Sequence, residues 1–379
     1  MKRKLILTLA GCALALFFGS RFLHSNPGQN DIIIGTTMGL TGNISPEAQS
    51  VKKGIELRLK KENNAGGING KKIRWIVLDD GYKPERALKN AKTLVDKHGV
   101  DIILFPVGSA TTKAFLPMVQ EKKVVVLFTS SGSPALRTPT PEYFIHMRPS
   151  YPDMSYALVS YAKNNRGAKR FAIISQADIT AEGITETMKK VGIPKSDYMV
   201  VSHRRNVIDM SKQAEEIRKF KPDALLLWTT SAASKELIKQ IGAENLINTV
   251  MLGADMANPT FNQFLKGMGL EKNYIDSQAL PNPETSQWPI MQEIRTALAD
   301  YPIDGLLAEG YIATDNLIHL LKQIGGNTDK EKIIKAAEQI KNLNLRGVKL
   351  NFDPKDRKLS PLIWLTTGQE WTPIDVSKK

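Results

Sequence analysis

The chain holds a single cysteine, Cys12, and five histidines in 379 residues. Without a second thiol no internal disulfide forms, and tetrahedral zinc sites of the Cys and His type are excluded. His24, His98, His146, His203 and His319 show no metal-ligand spacing, so neither a metal nor a cofactor is expected. Aromatic residues make up 7% of the chain, and no basic run is interleaved with them. The formal charge is +14, yet Lys and Arg alternate with Glu, as in Lys52-Lys53, Glu56 and Lys60-Lys61-Glu62. That pattern describes a solvated basic face, and no nucleic-acid partner is expected. No Gly-Lys-Ser/Thr ending follows Gly35, Gly39 and Gly42, and no G-x-S-x-G elbow occurs.

What is present begins with Met1-Lys2-Arg3-Lys4 ahead of the apolar stretch Leu5–Phe18. A charged start followed by an apolar run has the form of an export signal. Leu9-Ala10-Gly11-Cys12 matches a lipoprotein cleavage box, although only Leu5–Leu9 precedes it and the apolar run continues beyond. Residues 1–24 are therefore read as an export signal or N-terminal anchor, with Cys12 as a candidate acylation and membrane-tethering point, and residues 25–30 as a linker. The expected location is the periplasm or the outer face of the cytoplasmic membrane.

From Asp31 the pattern is regular. Strand-like runs fall at Ile32–Gly35, Arg74–Leu78, Asp101–Pro106, Val124–Phe128, Phe171–Ile174, Tyr198–Val201, Ala224–Trp228 and Thr249–Leu252. Helical-period segments separate most of them, which predicts an α/β chain whose parallel sheets carry helices on both faces. The rhythm restarts after Tyr151, so a second lobe built like the first is expected. Three further helical stretches, Trp288–Asp300, Leu306–Ile324 and Lys330–Lys341, exceed the needs of that lobe. They predict a return to the first one, with Val348–Phe352 and Leu362–Thr366 crossing over again. The expected division is 31–146 plus 281–347 for lobe 1 and 147–280 plus 348–379 for lobe 2, with a cleft between.

Several stretches in this order resemble the type I periplasmic binding proteins, in particular the leucine/isoleucine/valine-binding branch that serves ABC importers. They are Gly35 with Met38-Gly39-Leu40-Thr41-Gly42, Asn64-Ala65-Gly66-Gly67-Ile68-Asn69-Gly70, Asp79-Asp80-Gly81-Tyr82-Lys83-Pro84-Glu85-Arg86-Ala87, Pro106-Val107-Gly108-Ser109, Ser130-Ser131-Gly132-Ser133-Pro134 and Gly253-Ala254-Asp255. The resemblance covers about residues 31–370 and implies two Rossmann-like lobes joined by three crossovers. It implies that Ser109 binds a ligand carboxylate, that a backbone carbonyl at Ser130 takes an ammonium, and that Asp255 pairs with that ammonium. Ser131, Gly132 and Thr41, in the same cleft loops, and Thr180 and Ser231 are expected to bind the ligand with them. Gly132 stands where the amino-acid binders have threonine, and Glu47, Thr180 and Ser231 stand where they have aromatics. A branched-chain amino acid is therefore not the expected ligand, because aromatic walls dominate pockets for large apolar side chains.

The implied activity is capture of a small polar solute, such as an amino acid, amide, urea-like compound or organic acid, for an inner-membrane ABC permease, by a monomer that is not an enzyme. Two other classes are compatible with the residues. One is a ligand-sensing receptor of the same fold with a membrane signalling partner, and the other an exported hydrolase using Asp79, Asp80 and a His. Asp79 and Asp80 are otherwise expected to hold the loop before Pro84, and Trp228 to line the pocket.

Overall fold

The computed structural model describes residues 31–178, 183–254, 259–299, 301–359, 362–367 and 370–375. The signal, the linker and Cys12 lie outside the described residues, as do Thr180 and Asp255. No described helix is long and apolar enough to cross a membrane.

The first sheet is wholly parallel, in the order β2-β1-β3-β4-β5, from β1 (Ile32–Met38), β2 (Ile73–Asp79), β3 (Ile102–Leu104), β4 (Val125–Leu127) and β5 (Phe144–Ile145). Its helices are α1 (Ser45–Asn64), α2 (Pro84–His98), α3 (Ser109–Ala114) and α4 (Leu116–Gln120). Ile102–Leu104 and Val125–Leu127 are buried on both faces, the condition that lets an uninterrupted aliphatic run persist as a strand. Pro84 opens α2 and Gly99 closes it in the left-handed region (φ 61°), so the chain turns into β3 without an orphaned helix end.

The second lobe follows with α5 (Tyr151–Arg166), β6 (Phe171–Gln176), α6 (Ile184–Val191), β7 (Tyr198–His203), α7 (Ser211–Phe220), β8 (Ala224–Trp228), α8 (Ser231–Ile241), β9 (Val250–Ala254), α9 (Pro259–Gly267) and β10 (Tyr274–Gln278). Then α10 (Pro289–Ala297), α11 (Gly305–Gln323) and α12 (Lys330–Glu338) return to the first lobe, where Ile290, Leu307, Leu317 and Ile333 share one core with Ile34 and Val126. The hairpin β11 (Leu343–Leu345) and β12 (Val348–Leu350) precedes β13 (Leu362–Thr367) and β14 (Glu370–Asp375). The second sheet runs β14-β13-β10-β9-β8-β6-β7, parallel except for β13 and β14.

Two elements differ from the sequence reading. Val348–Phe352 does not cross between lobes: β12 pairs back on β11, and Val348, Leu350 and Leu359 enter the first core. The hairpin is held there by Arg346 Nη1, 2.7 Å from a Glu293 carboxylate oxygen of α10. The last passage to the second lobe therefore comes after Leu359, whose N–H bonds the His146 carbonyl of the first passage. Strand β10 had no apolar run to announce it. Its polar Asp276, Ser277 and Gln278 are buried, with the Asp276 N–H satisfied by Thr366 Oγ1 at 2.8 Å and the Gln278 amide donating to Asp276.

Candidate functional site

The carboxyl ends of β1, β3 and β4 in the first lobe face those of β6, β8 and β9 in the second, the position at which open α/β sheets bind ligands. A cavity of about 90 Å³ lies between them. Ile44, Glu47, Tyr82, Ser109 and Ser130 line it from the first lobe, and Gln176, Trp228, Thr229 and Thr230 from the second. Arg148 and Tyr151, at the first passage between lobes, complete the wall. Because a site for one water needs roughly 10–15 Å³ on this scale, the space suits a solute of a few polar and apolar groups.

The lobes are closed. Gln176 Nε2 donates to the Tyr82 hydroxyl at 2.8 Å. The Ser231 N–H, in the first turn of α8, donates to Glu47 Oε1 at 2.8 Å. Asn206, beyond β7, accepts the Asn43 N–H and donates to the Gly81 carbonyl, both at 3.1 Å. Gly42 permits that approach: at φ 83°, a Cβ on it would lie 2.9 Å from Asn206 Oδ1.

Ser109 and Ser130 are both placed on the cavity. Ser109 Oγ lies 2.8 Å from Ser131 Oγ, and Ser131 Oγ also accepts the Ser133 N–H at 3.2 Å, so Ser131 stands behind Ser109 as its support. The Ser130 N–H is tied to the Pro106 carbonyl at 3.0 Å, which fixes one cleft loop to the next. Gly132 lies behind the wall, its carbonyl accepting the Tyr151 N–H at 2.7 Å. Thr41 is exposed and away from the cavity; its Oγ1 donates to Asp79 Oδ2 at 2.8 Å. Asp79 also accepts the Gly81 N–H and Asp80 the Tyr82 N–H, each at 2.8 Å, so the pair organises the loop before Pro84 and turns Tyr82 into the cleft. Ser231 acts on Glu47 through its backbone N–H and also through its side chain, both favouring the charged carboxylate.

The aromatic walls are not missing. They come from Tyr82, Tyr151 and Trp228, with Tyr151 edge-on to Trp228 at 5.4 Å between ring centroids. Only Trp228 was legible in the sequence, because it ends an apolar strand. Tyr82 and Tyr151 sit in turn-and-helix starts whose aim depends on Asp80 and Gly132. Arg148, also unread, carries little free charge into the cavity: its guanidinium forks onto Glu309 of α11, with Nη2 2.8 Å from Oε2, and both side chains are buried.

The electrostatics single out Glu47. Burial pushes its carboxyl above the ordinary carboxylate range, the hydrogen bonds from Ser231 oppose that rise, and the nearby Asp304 charge adds to it. The residue as a whole is partly exposed, but its Oε2 is closed off from solvent and has no hydrogen-bond partner among the described residues. His203 is held below its usual range by burial and supports the wall from behind, with Nε2 2.7 Å from Thr229 Oγ1.

Comparison with known proteins places this geometry. The family model described as periplasmic binding protein matches residues 31–370. An amino acid binding protein of Pseudomonas aeruginosa is 22% identical over 366 residues, covering 92% of this chain and 94% of that protein. A Leu/Ile/Val-binding protein homolog 3 of Brucella melitensis is 27% identical over 175 residues, which span 44% of this chain and 46% of the relative, so the match reaches about half its length. Among solved structures, a possible leucine/isoleucine/valine-binding protein from Rhodopirellula baltica superposes with a TM-score of 0.80 at 22% identity, covering 93% of this chain and 98% of that one. A leucine binding protein from Thermotoga maritima gives 0.78 at 20% identity, covering 92% and 100%. With the family model spanning nearly all of the chain beyond residue 30 and the same two-lobed architecture, the chain belongs to the periplasmic binding protein family and has the type I fold of its leucine/isoleucine/valine-binding-like members.

Proposed function

We propose that this protein is an extracytoplasmic solute receptor that closes its two lobes on a small polar ligand and presents it to an inner-membrane ABC permease. The observation that carries the reading is the small cavity shared by both lobes, with Ser109 and Ser130 on one side and Gln176 and Thr230 on the other. A ligand touching both sides has differential affinity for the closed state, which is what drives closure. Ser109 with Ser131 behind it offers hydroxyl donors to a carboxylate, and Tyr82, Tyr151 and Trp228 supply flat apolar contact. In this reading Asp255 and Thr180, outside the described residues, join the cleft from the second lobe, Asp255 as partner of a ligand ammonium. The relatives named for amino acids support an amino-acid head. A structural neighbour named for fatty acids shows that the fold does not fix the solute.

The role is binding and delivery, with no catalytic step and a monomeric receptor. Native mass spectrometry of protein purified without added ligand tests it directly, since a retained solute appears as a defined mass increment. A thermal-shift screen over amino acids, amides, ureas and small acids is the companion experiment. A true ligand at a hundredfold excess over Kd adds about 2.7 kcal/mol of stability. Failure of every solute to raise the midpoint or to contract the scattering profile, or turnover of a bound one, overturns the reading.

A further inference from the structure

The unpaired oxygen of Glu47 constrains what the cavity can hold. Glu47 lies in the first turn of α1 and faces the first turn of α8 across the cleft, so one carboxylate spans the two lobes. Oε1 is satisfied by the Ser231 N–H. Oε2 is buried and takes no hydrogen bond from any described residue, although Glu47 lines the cavity.

A buried carboxylate oxygen without a donor is costly. Burial raises the carboxyl and so favours its neutral form, but among the described residues Oε2 is still left without a partner. The charged neighbours do not repair it either. Asp304 repels it, being engaged by Ser50 Oγ and the Leu307 N–H of α11, and Lys235 is coupled to it through space while Oε2 stays without a partner. Among the described residues no group supplies Oε2 with a hydrogen bond, which leaves that place to a donor on what fills the cavity. Neither an apolar tail nor a carboxylate supplies one.

Resting on the solute-receptor reading above, we propose that Glu47 is a specificity-determining ligand contact whose Oε2 accepts an N–H of the bound solute, so that the cavity selects molecules carrying an ammonium, guanidinium or amide group there and rejects purely apolar tails and second carboxylates. The same contact couples selection to closure. A solute N–H on Oε2 completes a carboxylate whose other oxygen is bound only when the second lobe has swung in.

Titration calorimetry of the full chain with four probes sharing one amino-acid head tests this: L-ornithine, L-glutamine, L-leucine and L-glutamate. The expected result is that ornithine or glutamine binds at least tenfold more tightly than leucine and glutamate. Glu47→Gln keeps an acceptor for Ser231 and isolates the charge: a loss of tenfold or more for ornithine identifies a cationic donor, and a smaller loss with glutamine preferred identifies an amide. Glu47→Ala should weaken the preferred probe by more than tenfold. Leucine or glutamate binding most tightly, or unchanged affinity in both variants with an unchanged unfolding midpoint, overturns the inference and leaves the receptor reading intact. Absence of binding by all four removes the inference; the receptor reading then stands or falls on the wider screen.

Discussion

Asn206 of the second lobe donates its Nδ2 to the Gly81 carbonyl of the first at 3.1 Å, while its Oδ1 accepts the Asn43 N–H. Two loops that share no secondary structure are thereby clamped at the mouth of the cleft, away from the cavity wall. The clamp belongs to the closed state, so its strength sets part of the closing equilibrium and not the stability of either lobe.

Replacing Asn206 by Gly removes the amide while leaving its positive φ of 60° accessible. Each lost hydrogen bond is worth about 0.5–1.5 kcal/mol. With two such bonds lost, apparent affinity for the solute should fall by roughly five- to 150-fold on that basis, with the unfolding midpoint nearly unchanged. Calorimetry together with small-angle scattering reads both quantities, and wild-type affinity in the variant would show that the clamp does not contribute to closure.

Ser109→Ala deletes the hydroxyl of a residue that lines the cavity, yet Ser131 keeps its donor from Ser133. Hydrogen bonds to charged groups contribute about 1.5–3 kcal/mol, so binding should weaken by tenfold or more while the fold persists. Equal affinities for wild type and variant would move the carboxylate contact elsewhere. Asp255→Ala is the matching test for the ammonium.

Asp80 is buried, accepts from Thr37 Oγ1 at 2.9 Å and from the Tyr82 N–H, and burial raises its carboxyl to about 6. Its folded-state value exceeds the unfolded one near 3.9, so the folded form holds the proton more tightly. That contribution to stability is fully present below about pH 4 and is lost as pH rises through about 6, a change on the order of 3 kcal/mol. Asp80→Asn keeps an acceptor for Tyr82 and should remove this slope. Denaturant unfolding of both proteins between pH 4 and 7.5 checks it; parallel curves would refute the assignment.

Gly132→Ala places a Cβ 2.6 Å from Tyr151 Cδ1 and 2.7 Å from the Pro149 carbonyl oxygen. The backbone contact cannot swing away as a side chain does. Overpacking of this kind costs about 1–3 kcal/mol, and Tyr151 forms part of the cavity wall, so both stability and binding should fall. A variant with unaltered thermal midpoint and affinity would mean that the loop has slack.

The alternation of β-rich runs and amphipathic helices from Asp31 to Leu252 was enough to read an α/β chain of two similar halves, because buried parallel strands and surface helices have different hydrophobic periods. The first-lobe serines were legible through the resemblance to the binding proteins, which put Ser109 and Ser130 in the cleft; by itself Ser109 reads as a cap of the helix that begins there. What the chain order could not convey was pairing at a distance. Strand β10, with its buried Asp276 and Gln278, looks polar until Thr366 satisfies it, and Val348–Leu350 looks like a crossover until the first core claims it. Glu47 reads as an ordinary acidic residue in the first turn of a helix, as charge at a positive dipole end favours. Only closure of one lobe on the other, 184 positions along the chain, buries its carboxylate against Ser231 and leaves one oxygen waiting for a donor. Local composition thus determined the two halves, and burial between them decided which residues have unmet chemistry.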